Sequence, residues 1–510
     1  MSYPKQVFPF RPTRGVAYDV PSAELSADFW SAAQNVLFRL GFAGRAPGYR
    51  AVYGTLPVNA FALLNALVDT TNFWIVFGAS AIHALETSNS DDVTPGGGLT
   101  AAQYPWQWSP GLLNGVPFAT NGLDTPIYWG GDVGVPFANL PDFPASTVCA
   151  SMFAFRYHLF ALDIDGPSGH IFDQVLWSDA ASPGTVPASW TASATSEAGS
   201  AQISDTPGPI MCGLPLRGSA LIYKRSSMVG VEYIPESNDI FAFRTLFTTS
   251  GALNRHAVCD INGQHFVVTD GDIILTDGTN RRSVADGRMR DFLFNQLDQD
   301  NYENLFVLNN RSKNEVWTFF PESGGDGTCT MALVYDVSKD AWGVRELDAV
   351  CAAIGVVNDT AADESWDVDT DPWDGDSSYW NEANYSLANE RLVTADGTAA
   401  TMQDTADAVA LTNSVRRDGL TFGDANRVKF VKRLHVRANA GYTTLKVRVG
   451  AAMSPDGPIT WSTEVTLTEP EQIVDTFAIG RYISLQIRST ETDPWTVPAV
   501  EFEFEWRGYF

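Results

Sequence analysis

Phe266-Val267-Val268-Thr269 turns through Asp270-Gly271 into Ile273-Ile274-Leu275. Leu305-Phe306-Val307-Leu308 turns through Asn309-Asn310-Arg311-Ser312-Lys313 into Val316-Trp317-Thr318-Phe319. Ala332-Leu333-Val334-Tyr335 turns through Val337-Ser338-Lys339-Asp340 into Trp342-Gly343-Val344-Arg345. Each unit is an apolar run, a polar turn and a second apolar run, which is the pattern of a β-hairpin. Hairpins repeated every few tens of residues predict a radial or stacked β array rather than one compact sheet.

The pattern extends both ways from this stretch. Residues 73–77 and 80–85 form an earlier hairpin, and 220–223 pairs with 228–233 across Lys224-Arg225-Ser226. Trp106, Trp108 and Trp129 stand at strand ends, where aromatics ordinarily pack between blades. Residues 288–299 place Met289, Phe292, Leu293 and Leu297 on one face of a short amphipathic helix. Residues 22–40 read either as a strand and turn or as a short helix, because brief apolar segments fit both periods. Residues 30–410 thus read as a β-propeller-like body; about 370 residues at roughly 40–50 per four-stranded blade allow about seven blades.

The two ends differ from the body. Residues 1–29 read as an extended N-terminal arm, since Pro4, Pro9, Pro12 and Pro21 forbid a regular helix or central strand. Phe8, Phe10, Arg11 and Arg14 alternate aromatic and basic character along it, as in an arm that packs on its own body or on a neighbouring subunit. From Val428 onward, apolar and polar residues alternate in several evenly spaced runs, so residues 411–510 read as a C-terminal antiparallel β-sandwich. The expected fold class is all-β.

The sequence holds 60 acidic and 33 basic residues, a net charge of −27 over 510 positions. Such a surface disfavours adhesion to nucleic acid or to an anionic membrane. It is equally consistent with simple solubility and with an acidic channel that lets DNA pass without gripping it. Five scattered cysteines without ligand spacing read as buried free thiols in a reducing compartment. The N-terminus lacks an apolar signal core and no apolar run is long enough to span a bilayer, so the expectation is folding in a cytoplasm with no membrane insertion.

Chemistry-bearing motifs are sparse. The segment Trp366-Asp367-Val368-Asp369-Thr370-Asp371-Pro372-Trp373-Asp374-Gly375-Asp376 has the odd-position carboxylates of a calcium loop. Pro372 stands where such loops need glycine, and Ser378 where they need glutamate, which excludes an EF-hand. It reads as a solvated acidic and aromatic loop for a partner or channel, with a looser Ca²⁺ site as the alternative. Trp366, Trp373, Tyr379 and Trp380 are also of the kind that stacks on sugar rings. Residues 454–461 resemble an Asp-box, a structural turn clip. The six histidines show no paired spacing, and no nucleophile, phosphate-loop or dinucleotide motif stands in a supporting context. No catalytic residue, metal site or cofactor is therefore assigned. Lys429, Lys432 and Arg433, with Arg416, Arg417, Arg427 and Arg437, form a basic patch. They cannot all face one side of a strand, so the patch predicts an acidic partner, either another protein or the chain's own Asp-rich surface.

Three sets of residues carry a resemblance to a known family. They are Asn35-Val36-Leu37-Phe38-Arg39-Leu40-Gly41 with Arg45-Ala46-Pro47-Gly48; Leu176-Trp177-Ser178-Asp179 with Trp190, Glu197-Ala198-Gly199 and Gly208-Pro209-Ile210; and 266–278 with Arg281, Arg282, Tyr335-Asp336 and Trp342. On these the chain resembles the tail nozzle (tail-tube, or DNA-stabilisation) proteins of short-tailed bacteriophages. The similarity spans most of residues 5–350 and Gly480-Arg481-Tyr482, while 359–380 has no place on the family pattern. The resemblance implies a non-enzymatic virion part, assembled in the host cytoplasm into a homo-oligomeric ring, typically a hexamer. Such a ring sits in the viral tail below the portal and the head-to-tail adaptor ring. It extends the DNA exit channel, retains the packaged genome without reading its sequence, and carries tail fibres or a tip. A glycan-binding or glycan-cleaving propeller acting on a host surface is the alternative.

Overall fold

A computed structural model describes residues 5–86, 89–235, 240–357, 390–405, 409–439, 444–468 and 472–509. The regular structure of the described residues is nearly all β-strand, with one short α-helix at Arg290–Gln296. None of their helices is long and apolar enough to cross a membrane.

Seven antiparallel sheets make up the body: residues 62–92, 109–139, 148–202, 210–247, 258–283, 306–349, and 351–405 joined by 48–55. The first strand of each sheet lies beside the first strands of the sheets before and after it, and the seventh returns to the first. The seven are therefore the blades of a closed propeller. The hairpin at 264–276 is the middle of the fifth blade, and the hairpins at 306–321 and 329–349 together make the sixth. Tight reversals are set by residue chemistry: Asn114-Gly115 and Asn262-Gly263 each supply two consecutive positive φ values, as a two-residue hairpin turn requires.

Closure is not sequential. Gly48–Thr55, early in the chain, pairs with Ala399–Thr405 and completes the seventh blade. Residues 22–40 form no α-helix: Ala32–Gln34 and Val36–Leu37 are strands separated by Asn35 at φ +50°. Val36–Leu37, Ala43–Arg45 and Thr496–Val497 extend the sixth blade to seven strands. That sheet is shared between the propeller and the C-terminal region.

The C-terminal region contributes two further sheets. One runs Gln6–Phe10, Ala499–Tyr509, Arg427–Arg437, Ile473–Gly480; the other is built around Asn413–Leu420, Tyr482–Ser489 and Thr444–Ala452, with Ala32–Gln34 at its edge. The first therefore takes a strand from the arm, and the second takes one from just after it. Phe8 stacks on Phe422 at 4.5 Å, Phe10 is buried edge-on against Trp30 at 5.1 Å, and Arg14 pairs with Asp340 at 3.0 Å. Arg11 is exposed. Gly15 takes φ +79°, and a Cβ there would stand 2.5 Å from the Trp342 carbonyl oxygen, so only glycine lets the arm lie this close. One apolar cluster runs from Phe266 and Trp342 through Phe10 and Trp30 to Val431, Leu485 and Phe502. The arm and the sandwich thus share a core with the fourth to sixth blades, while the other blades pack in separate clusters.

Candidate binding site on the axial face

In a four-stranded antiparallel blade, the start of the first strand, the end of the second and the start of the third lie at one end. The segments leading into the second, fifth and sixth blades, and the second-to-third hairpins of the third and fourth, therefore converge on one face of the ring. Three adjoining cavities of about 180, 220 and 250 Å³ open there, all lined by Trp106 and Arg255.

Asp163 is the centre of this site. It lies inside the strand His158–Gly166 at a β-bulge, where the register with Gly169–Trp177 slips, and takes φ +56°. Bulges and left-handed non-glycine residues both re-aim side chains and concentrate next to functional sites. Its side chain is buried, with the residue only 6% exposed. His170 Nε2 lies 2.5 Å from Oδ1, which fixes the imidazole proton on Nε2, and Arg255 Nη2 donates to Oδ2 at 3.3 Å.

Arg255 is positioned by an aromatic stack. Its guanidinium lies 5.4 Å from the Trp106 ring centroid, and Tyr104 stacks on Trp106 at 5.6 Å and 9°. Beneath it, His256 Nε2 donates to the Trp106 carbonyl at 3.1 Å, and burial lowers the pKa of this imidazole. Asn254 Nδ2 donates to the carbonyls of Tyr302, Glu303 and Leu305, which anchors the segment carrying Glu303. Arg225 crosses the Tyr302 ring at 4.9 Å and reaches Asp270 at 3.4 Å. Within the described residues, no group of three or more His, Cys, Asp or Glu side chains converges as a metal site.

None of these residues was singled out as a site by the sequence. Trp106 is expected there to be core, yet it is half-exposed, while Trp108 and Trp129 are fully buried. Asp163 and His170 meet only because a bulged hairpin brings together positions seven apart, a spacing with no motif behind it.

The residues the sequence did single out lie elsewhere. In the basic patch, Lys432, Arg433 and Arg437 each pair with a carboxylate of their own sheet. Lys432 pairs with Glu505 at 2.5 Å and Arg433 with Asp475 at 2.7 Å. Lys429 is buried, donates to the carbonyls of Asp424 and Arg481, and burial lowers its pKa to about 8. A bulge between Val431 and Arg433 shifts the alternation and separates the three cations. Trp366, Asp367, Asp369, Asp371, Trp373, Asp374 and Asp376 lie outside the described residues, as do Tyr379 and Trp380. All five cysteines are free and buried.

No family model and no curated protein matches the chain. Among solved structures, it is similar to the extracellular domain of a one-component system from B. thetaiotaomicron at 9% identity and TM-score 0.41, covering 85% of this chain and 59% of that one. It is also similar to PorZ, a surface component of the type-IX secretion system of Porphyromonas gingivalis, at 7% identity and TM-score 0.38, covering 82% and 46%. Some matched structures are glycoside hydrolases, among them an exo-β-1,3-galactanase from Phanerochaete chrysosporium at 9% identity and TM-score 0.27, covering 89% and 100%. The chain thus spans less than two thirds of the length of the first of these.

Proposed function

We propose that this chain is a structural part of a short-tailed phage virion: a subunit of the tail nozzle ring that continues the DNA exit channel below the portal and adaptor. The observation that carries the reading is the open sheet edge at Ile473–Gly480. Ile473, Phe477 and Ile479 are 51%, 68% and 45% exposed on one face of an edge strand, an arrangement that invites strand addition and marks a protein contact. The opposite edge of the same sheet is the arm strand Gln6–Phe10, with Val7 also exposed. Two different open edges on one sheet suit head-to-tail contact between copies, which closes into a ring when the rotation allows. The core shared by arm, propeller and sandwich supports the reading because a channel wall must be stiff, and the −27 charge because a lumen must not grip DNA.

Particle imaging of the purified chain, alone and mixed with an adaptor ring, tests this. Rings, alone or on the adaptor, are the expected result. A monomer that stays off the adaptor at every concentration overturns it.

A second reading, a propeller that binds or cleaves glycans on a host surface, is favoured by one observation, the polar axial cavity around Asp163. A glycan array with a hydrolysis assay on surface polysaccharide separates the two.

A further inference from the structure

We propose that the axial cavity bounded by Trp106, Asp163, His170, Arg225, Arg255 and Glu303 is a binding site for an uncharged saccharide ring. The inference rests on the second reading for its ligand class and is independent of ring assembly.

The chemistry of the lining narrows the ligand. Each guanidinium already faces a carboxylate: Arg255 meets Asp163, and Arg225 meets Asp270. Asp165 and Glu303 add further negative charge to the walls. An anionic ligand would meet repulsion with no uncommitted cation to hold it. A metal ion lacks a converging ligand set among the described residues. What the lining does offer is donors beside acceptors, guanidinium and imidazole next to carboxylate. A hydroxyl both donates and accepts, so a ring bearing several hydroxyls satisfies such pairs without bringing charge of its own.

Shape and rigidity agree with this. Pro209, Met211 and Trp106 form apolar wall beside the polar groups, suited to the C–H face of a pyranose. Each cavity is smaller than the usual small-ligand pocket (roughly 300 Å³ upward), the scale of one ring rather than a long oligomer. Asp163 is fixed by burial, by the bulge and by two partners, and Arg255 by Trp106, so little order remains to be imposed on binding.

The test is titration of the whole chain with maltohexaose, laminarihexaose and cellohexaose as uncharged probes. Tri-galacturonic acid and inorganic phosphate serve as anionic probes, and binding is read by ligand-detected NMR. At least one uncharged probe is expected to bind and the anions not to. Arg255→Met is expected to weaken that binding at least tenfold. Because Arg255→Met exposes Asp163 to loss of its partner, Glu303→Gln is the second variant, expected to weaken binding severalfold with an unchanged melting temperature. Binding that survives both variants overturns this site while leaving a glycan-binding protein standing. Binding of anions alone overturns the ligand class, and no binding to any probe overturns both the site and the second reading.

Discussion

Arg39 and Glu315 are joined by two hydrogen bonds, Nε to Oε1 at 2.5 Å and Nη2 to Oε2 at 2.8 Å, and Nη2 also donates to Asp404 at 2.7 Å. Glu315 belongs to the sixth blade, Asp404 to the seventh, and Arg39 to the turn between Val36–Leu37 and Ala43–Arg45, the strands added to the sixth-blade sheet. Burial opposes the charge on Arg39, but the bonds to the two carboxylates outweigh it and its pKa is raised. Removing one member of such a group leaves buried charge uncompensated. Arg39→Met is therefore expected to cost about 3–5 kcal/mol of stability, measured by urea unfolding. The triple change Arg39→Met, Glu315→Leu, Asp404→Leu is expected to recover most of the loss.

The arm gives a second expectation. Gly15→Ala places a methyl group against the Trp342 backbone in a conformation that L residues rarely adopt. Strain of this kind costs roughly 1–3 kcal/mol. The variant should also lose the bond from Val16 N to the Trp342 carbonyl, and its arm should be cut by protease faster than that of the wild type.

Ring assembly and stability should separate at the exposed sheet edge. Phe477→Asp changes a side chain that is largely in solvent, so its melting transition should stay within about 0.5 kcal/mol of the wild type. Mass photometry should show the variant as monomer under conditions where the wild type forms rings. Rings formed equally by both would remove this edge as the contact.

Lys429 makes stability depend on pH. Its folded pKa, lowered by burial to about 8, lies below the ordinary value of 10.5. Below pH 8 both folded and unfolded chains carry the proton, and the cost of burying it is fully present. Between pH 8 and 10.5 the folded state releases its proton first, so stability contributed at this site rises with pH. Denaturation of the wild type and of Lys429→Met at pH 7.5, 9 and 10 should show the wild type gaining relative to the variant. A constant difference would contradict this.

The repeating hairpins were legible because their information is local: apolar runs and the polar turns between them are contiguous in the chain. The C-terminal strands were legible for the same reason. The strand at 48–55 was not, since its partner lies some 350 positions later and Ala46-Pro47-Gly48-Tyr49 reads locally as a turn. Lys432 and Arg433 were recognisable as charges needing carboxylates, but Glu505 and Asp475 become their partners only through sheet register. Asp163 was hidden for another reason: a bulge re-aims it, and a bulge leaves no fixed signature among sixty acidic residues.

The pairing of Gln6–Phe10 with Ala499–Tyr509 has a consequence for synthesis. At roughly 5–20 residues per second, a ribosome needs on the order of half a minute or more between delivering the first partner and the last. Throughout that interval the early strand waits unmatched, and the sheet with its two open edges does not yet exist. A polypeptide interrupted before Ala499 therefore cannot present that sheet, whatever the state of the propeller behind it.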